Sequence, residues 1–244
     1  MSRTTKPASF TTREFSTKAE REGRSPWMWV IGIGVVMTVI IAFGVAVSSS
    51  GGGDNPGADG DRPVVADEAG GVEFGQLRWE QVGRTELPFS TTAGPRTLNG
   101  VTASGFAHTE AGAILAAWQI PTRLSLLAGT DDIYRNQVLG TADDLARFKK
   151  ATAELQSTLD PDQTVPRVLA WRPHRPYDAQ VASYDFAMPG ETPSAVQLVR
   201  FSVVWIGEDW RFQPGLFGQA TTTPVDERSV HADNGWHVFA EGVQ

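Results

Sequence analysis

The chain has 244 residues, 41% of them hydrophobic and 20% charged, with a formal net charge of −7. This composition excludes a wholly disordered chain or a fibre, and the length allows one sizeable domain with extras or two small domains. Cysteine is absent, which excludes disulfides, a thiol nucleophile, thiolate metal sites and a lipidated cysteine, and four histidines leave little for metal chemistry.

Residues 1–26 are polar, rich in Ser and Thr, and carry a net +3. From Trp27 to Ser48 no charge appears. A helix over these residues would be about 33 Å long, enough to cross a hydrocarbon core of about 30 Å. Trp27 and Trp29 stand at its start, where indole rings favour the interface, and Pro26 suits a first helical turn. Basic residues precede the span, whereas Asp54, Asp59, Asp61, Asp67 and Glu68 follow it with only Arg62 among them. The positive-inside rule then places the N-terminus in the cytoplasm and residues 49–244 outside. The rival reading is a signal peptide cleaved after Ala46-Val47-Ser48. Its hydrophobic run would be longer than the usual ~7–15 residues and its lead unusually long, so a retained anchor is favoured. Gly34, Thr38, Ala42 and Ala46 are each four apart; ordinary small-residue content of an apolar span is the favoured reading, with helix self-association, and hence a homo-oligomer, as the alternative.

Residues 49–71 are Gly-, Ser-, Asp- and Pro-rich and read as a flexible linker. With +3 in the tail and no charge in the span, residues 49–244 carry −10. Such an outer part is repelled by anionic headgroups and offers no surface for direct nucleic-acid binding.

An outer domain is expected over 72–215, followed by a loop-rich extension over 216–244. Residues 72–82 read as a strand, and 83–108 as an irregular Gly-, Pro- and Thr-rich arm with at most one strand. Thr109 is placed to cap a helix, with Glu110 in the first turn. Pro121 should kink or split that helix and Gly129 end it. A short helix follows from Asp131 to Leu139, and a third begins at Thr141 to Asp144. After Pro161 the period becomes two: 167–172, 177–187 and 195–206 read as strands, the last with Val199, Phe201, Val203 and Trp205 on one face. Gly207-Glu208-Asp209 is a hairpin loop returning through Trp210-Arg211-Phe212. The tail is mostly loop, with a strand option at 236–240. Helices followed by antiparallel strands predict an α+β domain, a curved sheet folded over one long helix.

Two stretches carry a family resemblance. One is Gly94-Pro95 with Gly105-Phe106-Ala107-His108-Thr109-Glu110-Ala111-Gly112-Ala113; the other is Trp205-Ile206-Gly207-Glu208-Asp209-Trp210-Arg211. Together they resemble an uncharacterised family of single-span actinobacterial membrane proteins, often encoded in conjugative or other mobile elements. The outer fold is similar to the nuclear transport factor 2-like cone, a helix in a curved antiparallel sheet. The bitopic scaffold subunit of type IV secretion systems uses that fold. The resemblance covers about residues 72–215. It implies a location in the cell membrane and, as partners, other membrane subunits of a transfer or secretion complex.

Candidate chemistry is sparse. His108 could be a base at a pocket mouth, but it lacks an orienting partner, so a place beside the helix cap is favoured. His174 and Asp178 would need a nucleophile, and no G-x-S-x-G motif occurs. His231, Asp233 and His237 fit no metal-ligand spacing. Asp131-Asp132 and Asp143-Asp144 each begin a helix, where negative charge is favoured. Trp79, Trp118, Trp205 and Trp210 could line a cavity, but core packing is the favoured reading. No catalytic, cofactor-binding or metal-binding residue is expected, and no cofactor; His108, Trp118, Trp205 and Trp210 are the pocket or interaction candidates. The expected function is a non-enzymatic bitopic scaffold of a conjugation or secretion machine. The alternative is an extracytoplasmic module binding a lipid, glycan or peptide in a cone-shaped cavity.

Overall fold

A computed structural model describes residues 71–239, except 159, 161–163, 191, 193, 219, 221 and 222. The basic tail, the predicted span at 27–48 and all but the last residue of the linker lie outside the described residues. Within the described residues no helix is long and apolar enough to cross a membrane.

The architecture is α+β, with three helices and antiparallel sheets. Two hairpins come first: β1 (Leu77–Val82) with β2 (Thr85–Ser90), and β3 (Thr97–Asn99) with β4 (Thr102–Ser104). Helices α1 (Glu110–Leu126), α2 (Asp131–Gln137) and α3 (Ala142–Thr158) follow. A five-stranded antiparallel sheet is then built from β5 (Ala170–Pro173), β6 (Val181–Pro189), β7 (Ala195–Ile206) and β8 (Asp209–Phe212), in that order. Its fifth member, β9 (Val225–Asp226), pairs with the start of β7.

Helix α1 is the centre of the molecule. Every residue from Ala111 to Leu126 is buried, as expected of a helix covered on all sides rather than along one stripe. Pro121 does not split it, contrary to the sequence expectation. The ring removes one backbone donor at a cost of about 3 kcal/mol, which burial of the surrounding turns outweighs. The hydroxyls beside it are satisfied within the helix: Thr122 Oγ1 donates to the Trp118 carbonyl and Ser125 Oγ to that of Pro121, both at 2.7 Å. The buried polar side chains on the same helix tie it to the hairpins. Gln119 Nε2 donates to the Pro88 carbonyl at 2.6 Å, and Arg123 donates to Gln119 Oε1 and to the Val101 carbonyl, each at 3.2 Å. Burial pulls the Arg123 guanidinium down to about 10, with Glu80 opposing, so it stays charged at neutral pH.

Across α1, the inner face of the sheet offers Trp171, Phe186 and Val199 in one cross-strand row and Tyr184 and Phe201 in the next. Trp118 packs on Phe186 and Phe201, with ring centroids 5.1 and 6.1 Å apart. The helix–sheet interior is thus filled by aromatic rings.

The region 83–108, expected to be an irregular arm, holds three strands instead. They are short, β3 is fully exposed, and Pro88 interrupts the periodicity of β2, so the period-2 signal is lost. The strands expected at 167–172 and 177–187 begin later, at Ala170 and Val181. The strand option at 236–240 is reduced to one bridge, His237 with Trp171. This bridge brings the tail onto the sheet edge, and Phe239 joins the main core beside Phe74. On the outer face, Trp236 and Ala220 cover Ala170, Ala187, Val196 and Leu198 in a second, smaller core.

Candidate functional site

The two motif stretches, about a hundred residues apart in sequence, meet at the start of α1. Gly94 adopts φ +100°, and a side chain there would lie 2.9 Å from the Gly105 carbonyl oxygen, so glycine lets the base of the β3–β4 hairpin close. The Ala107 N–H then donates to the Ala93 carbonyl at 3.0 Å. Asp209, at the return of the β7–β8 hairpin, reaches across. Its carboxylate accepts the backbone N–H groups of Gly105 (2.7 Å), Phe106 (3.1 Å) and Trp210 (2.9 Å). Trp210 Nε1 donates to the Ala107 carbonyl at 2.9 Å. Burial pushes the Asp209 carboxyl up, against the three backbone donors that favour its ionised form.

Thr109 caps α1 as expected, its hydroxyl accepting from the Gly112 N–H at 3.3 Å. His108 is thereby held just outside the helix and exposed. Its ring lies flat on Trp205, centroids 3.9 Å apart and planes 4° from parallel, with Trp210 edge-on at 5.8 Å. His108 Nε2 sits 2.6 Å from the Ala179 carbonyl, which can only accept, so the proton is on Nε2. Tyr177 closes the group against Trp210 at 6.5 Å.

Three of the four candidates, His108, Trp205 and Trp210, therefore come together. Trp118 does not: it is buried in the helix–sheet core. Trp210 is also fully buried, leaving the stacked His108 and half-buried Trp205 as the accessible pair, next to exposed Ile206. The arrangement suits contact rather than proton transfer, because one ring face of His108 is covered by indole and its Nε2 is occupied by a carbonyl.

The α1 start also borders an open cleft of about 400 Å³, lined by Val72, Glu73, Thr92, Thr109, Glu110 and Ala111. Burial raises the Glu110 carboxyl above its ordinary range. Burial, then Glu110, also raises the hydroxyl of buried Tyr184, which has no hydrogen-bond partner among the described residues. Sequence reasoning did not single out Asp209 or Glu110 as site residues; the fixed placement of Asp209 opposite Gly105 carries no local sequence signal.

The other candidates separate. His174 and Asp178 do not pair: the His174 N–H donates to the Ser183 carbonyl, while Asp178 accepts from the Gln180 N–H at 2.7 Å. His237 stacks on Trp171 at 4.6 Å, whereas His231 faces Asp233 at 3.6 Å. Among the described residues no three His, Asp or Glu side chains are grouped to hold a metal. Asp131, Asp132 and Asp144 form ion pairs with Lys149, Arg135 and Arg147 at the starts of α2 and α3.

A family model described as a domain of unknown function, DUF8175, matches residues 45–236. The chain belongs to this family. No curated protein and no solved structure matches it. The DUF8175 match begins within the last residues of the predicted span and takes in both motif stretches, the whole sheet and the tail as far as Trp236.

Proposed function

We propose that this DUF8175 protein is a non-enzymatic bitopic membrane scaffold, an assembly component of a conjugation or secretion machine. Its N-terminus lies in the cytoplasm, and its outer domain is a nuclear transport factor 2-like cone held in the cell membrane by residues 27–48. Its partners are other membrane subunits, with a second copy of itself as an option and no direct role for nucleic acid. The observation that carries this reading is the His108–Trp205 stack. An accessible aromatic pair sits on a rigid hydrogen-bonded junction, while the helix–sheet interior where a cone-fold ligand would lie is filled by Trp118, Phe186 and Phe201. Rigid aromatic surface is the kind of feature that anchors protein interfaces.

The test is in-cell photo-cross-linking of the full-length protein with a photoreactive residue at position 206, and at 98 as the control. Ile206 is 39% exposed beside the stack and Leu98 is 54% exposed on the β3–β4 hairpin, so exposure alone favours the control. An adduct with a membrane subunit at 206, lost on Trp205→Ala, supports the scaffold. Equal or no adduct at 206, in cells expressing the transfer machinery, shifts the reading to extracytoplasmic binding of a lipid, glycan or peptide.

A further inference from the structure

The outer face of the sheet carries a charge row that the aromatic junction does not use. Arg172 on β5, Asp185 on β6 and Arg200 on β7 are direct cross-strand partners. Asp185 is 2% exposed and accepts from both guanidiniums, from Arg200 Nε at 2.7 Å and Arg172 Nη2 at 3.2 Å. One carboxylate therefore faces two cations. Arg175 adds a third: no carboxylate among the described residues pairs with it, and its side chain is exposed. Arg172 and Arg200 share Asp185, and Arg200 and Arg175 share Phe217, so the three converge, with His174 beside them. Burial holds its imidazole below the ordinary value, and Arg200, Arg172 and Arg175 push it the same way against Asp185.

Each arginine is also fixed in place, and always by the tail that follows β8. The Arg172 guanidinium lies over the Trp236 ring and that of Arg175 over the Phe217 ring, both at 4.6 Å. Arg200 Nη1 donates to the Phe217 carbonyl at 3.3 Å. Asp185 neutralises only one guanidinium, and among the described residues no other carboxylate pairs with the remaining positive charge, on a domain whose residues 72–244 sum to −6. Asp185 takes Nε and Nη2 of both Arg172 and Arg200, so Arg172 Nη1 and the held Arg175 guanidinium face a guest carboxylate, while Arg200 adds charge; held guanidiniums lose little side-chain entropy on binding.

We propose that Arg172, Arg175 and Arg200 form a docking site for an acidic peptide segment of a protein partner. Charge complementarity selects a carboxylate-bearing guest. Recession selects a peptide over a membrane: Arg200 is 14% and Arg172 36% exposed, too recessed for a flat headgroup plane, while exposed Arg175 beside them admits a single carboxylate side chain. The inference does not depend on the scaffold reading.

The test uses the full-length protein in zwitterionic nanodiscs and a fluorescent peptide of alternating Gly, Asp and Glu, read by anisotropy. Saturable binding is expected, weakened about tenfold by Arg175→Glu and lost to a basic peptide of equal length. Arg175 lies outside the buried Asp185 row, so that variant folds. On binding, the His174 imidazole titration followed by NMR moves upward, as an added anion demands. Absence of saturable binding, or binding unchanged by Arg175→Glu, overturns the proposal. So does Arg175-dependent capture by anionic vesicles without peptide binding, which assigns the site to lipid. Peptide binding that appears only after Asp54, Asp59, Asp61, Asp67 and Glu68 are neutralised overturns it in favour of the chain's own acidic segment.

Discussion

Asp209 shows how much one side chain carries at this junction. Its two oxygens accept three backbone N–H groups from two distant stretches, so the hairpin after β7 and the loop before α1 share a single anchor. Asp209→Asn keeps the shape but turns an amide N–H₂ toward one of these donors, leaving a buried N–H unpaired. A loss of about 1–3 kcal/mol is expected in denaturant unfolding at neutral pH. The pH dependence has a definite sign. Burial raises the folded-state carboxyl above its unfolded value, so Asp209's contribution is fully present below the unfolded pKa and fades as pH rises through the folded one. The gap between wild type and Asp209→Asn therefore widens toward acid. A gap that narrows instead would mean that the backbone donors outweigh burial.

Among the elements, α1 poses the sharpest conflict between local propensity and packing. Gly112 lies in its first turns, where alanine would gain about 1 kcal/mol of helix propensity. An added Cβ would sit 2.0 Å from the Ala107 carbonyl oxygen and 2.8 Å from its backbone nitrogen, because the chain doubles back through 107–109 before the helix starts. Gly112→Ala is thus expected to destabilise by about 2 kcal/mol or more despite the better propensity, read as a lower midpoint in thermal or urea unfolding. The same helix marks what the sequence could and could not reveal. Its start was legible because Thr109 and Glu110 are local signals, and β7 was legible because a long alternation ends at Gly207. Its passage through Pro121 was not, since that depends on burial of every following residue to Leu126. Strands β2 to β4 were hidden because β3 and β4 have three residues each, β3 is wholly exposed, and Pro88 breaks the alternation of β2. The candidate site was half legible: His108, Trp205 and Trp210 stood out by residue type. The role of Asp209 appears only once the two motif stretches are folded together.

At the scale of the whole molecule, the segment after β8 binds the parts together even though it reads as loop. Trp236 is 5% exposed, closes the outer core over Leu198 and Val196, and lies under Arg172. Trp236→Ala is expected to cost about 3 kcal/mol, from the lost burial and the cavity left behind. It should also loosen Arg172, visible as faster amide exchange along β5; unchanged unfolding would show that the tail only rests on the sheet. The proposed location is tested at the other end of the domain. Residues 72–239 begin and end near the same sheet edge, since Phe74 packs on both Trp171 and Phe239. The first described residues therefore lie beside the C-terminal tail. If residues 49–71 are a tether of random-coil dimensions, they hold that edge roughly 25 Å from the bilayer, and the Gly- and Asp-rich stretch is the cheapest point of attack for a broad-specificity protease. Protease added outside intact spheroplasts should then release a single resistant fragment beginning near residue 71. The Asp209 and Gly112 variants should be cut further under the same conditions, because their folded domains open more often. A full-length chain that survives outside treatment and is cut only after lysis would place the domain on the cytoplasmic side and reverse the orientation inferred from the charges flanking Trp27 to Ser48.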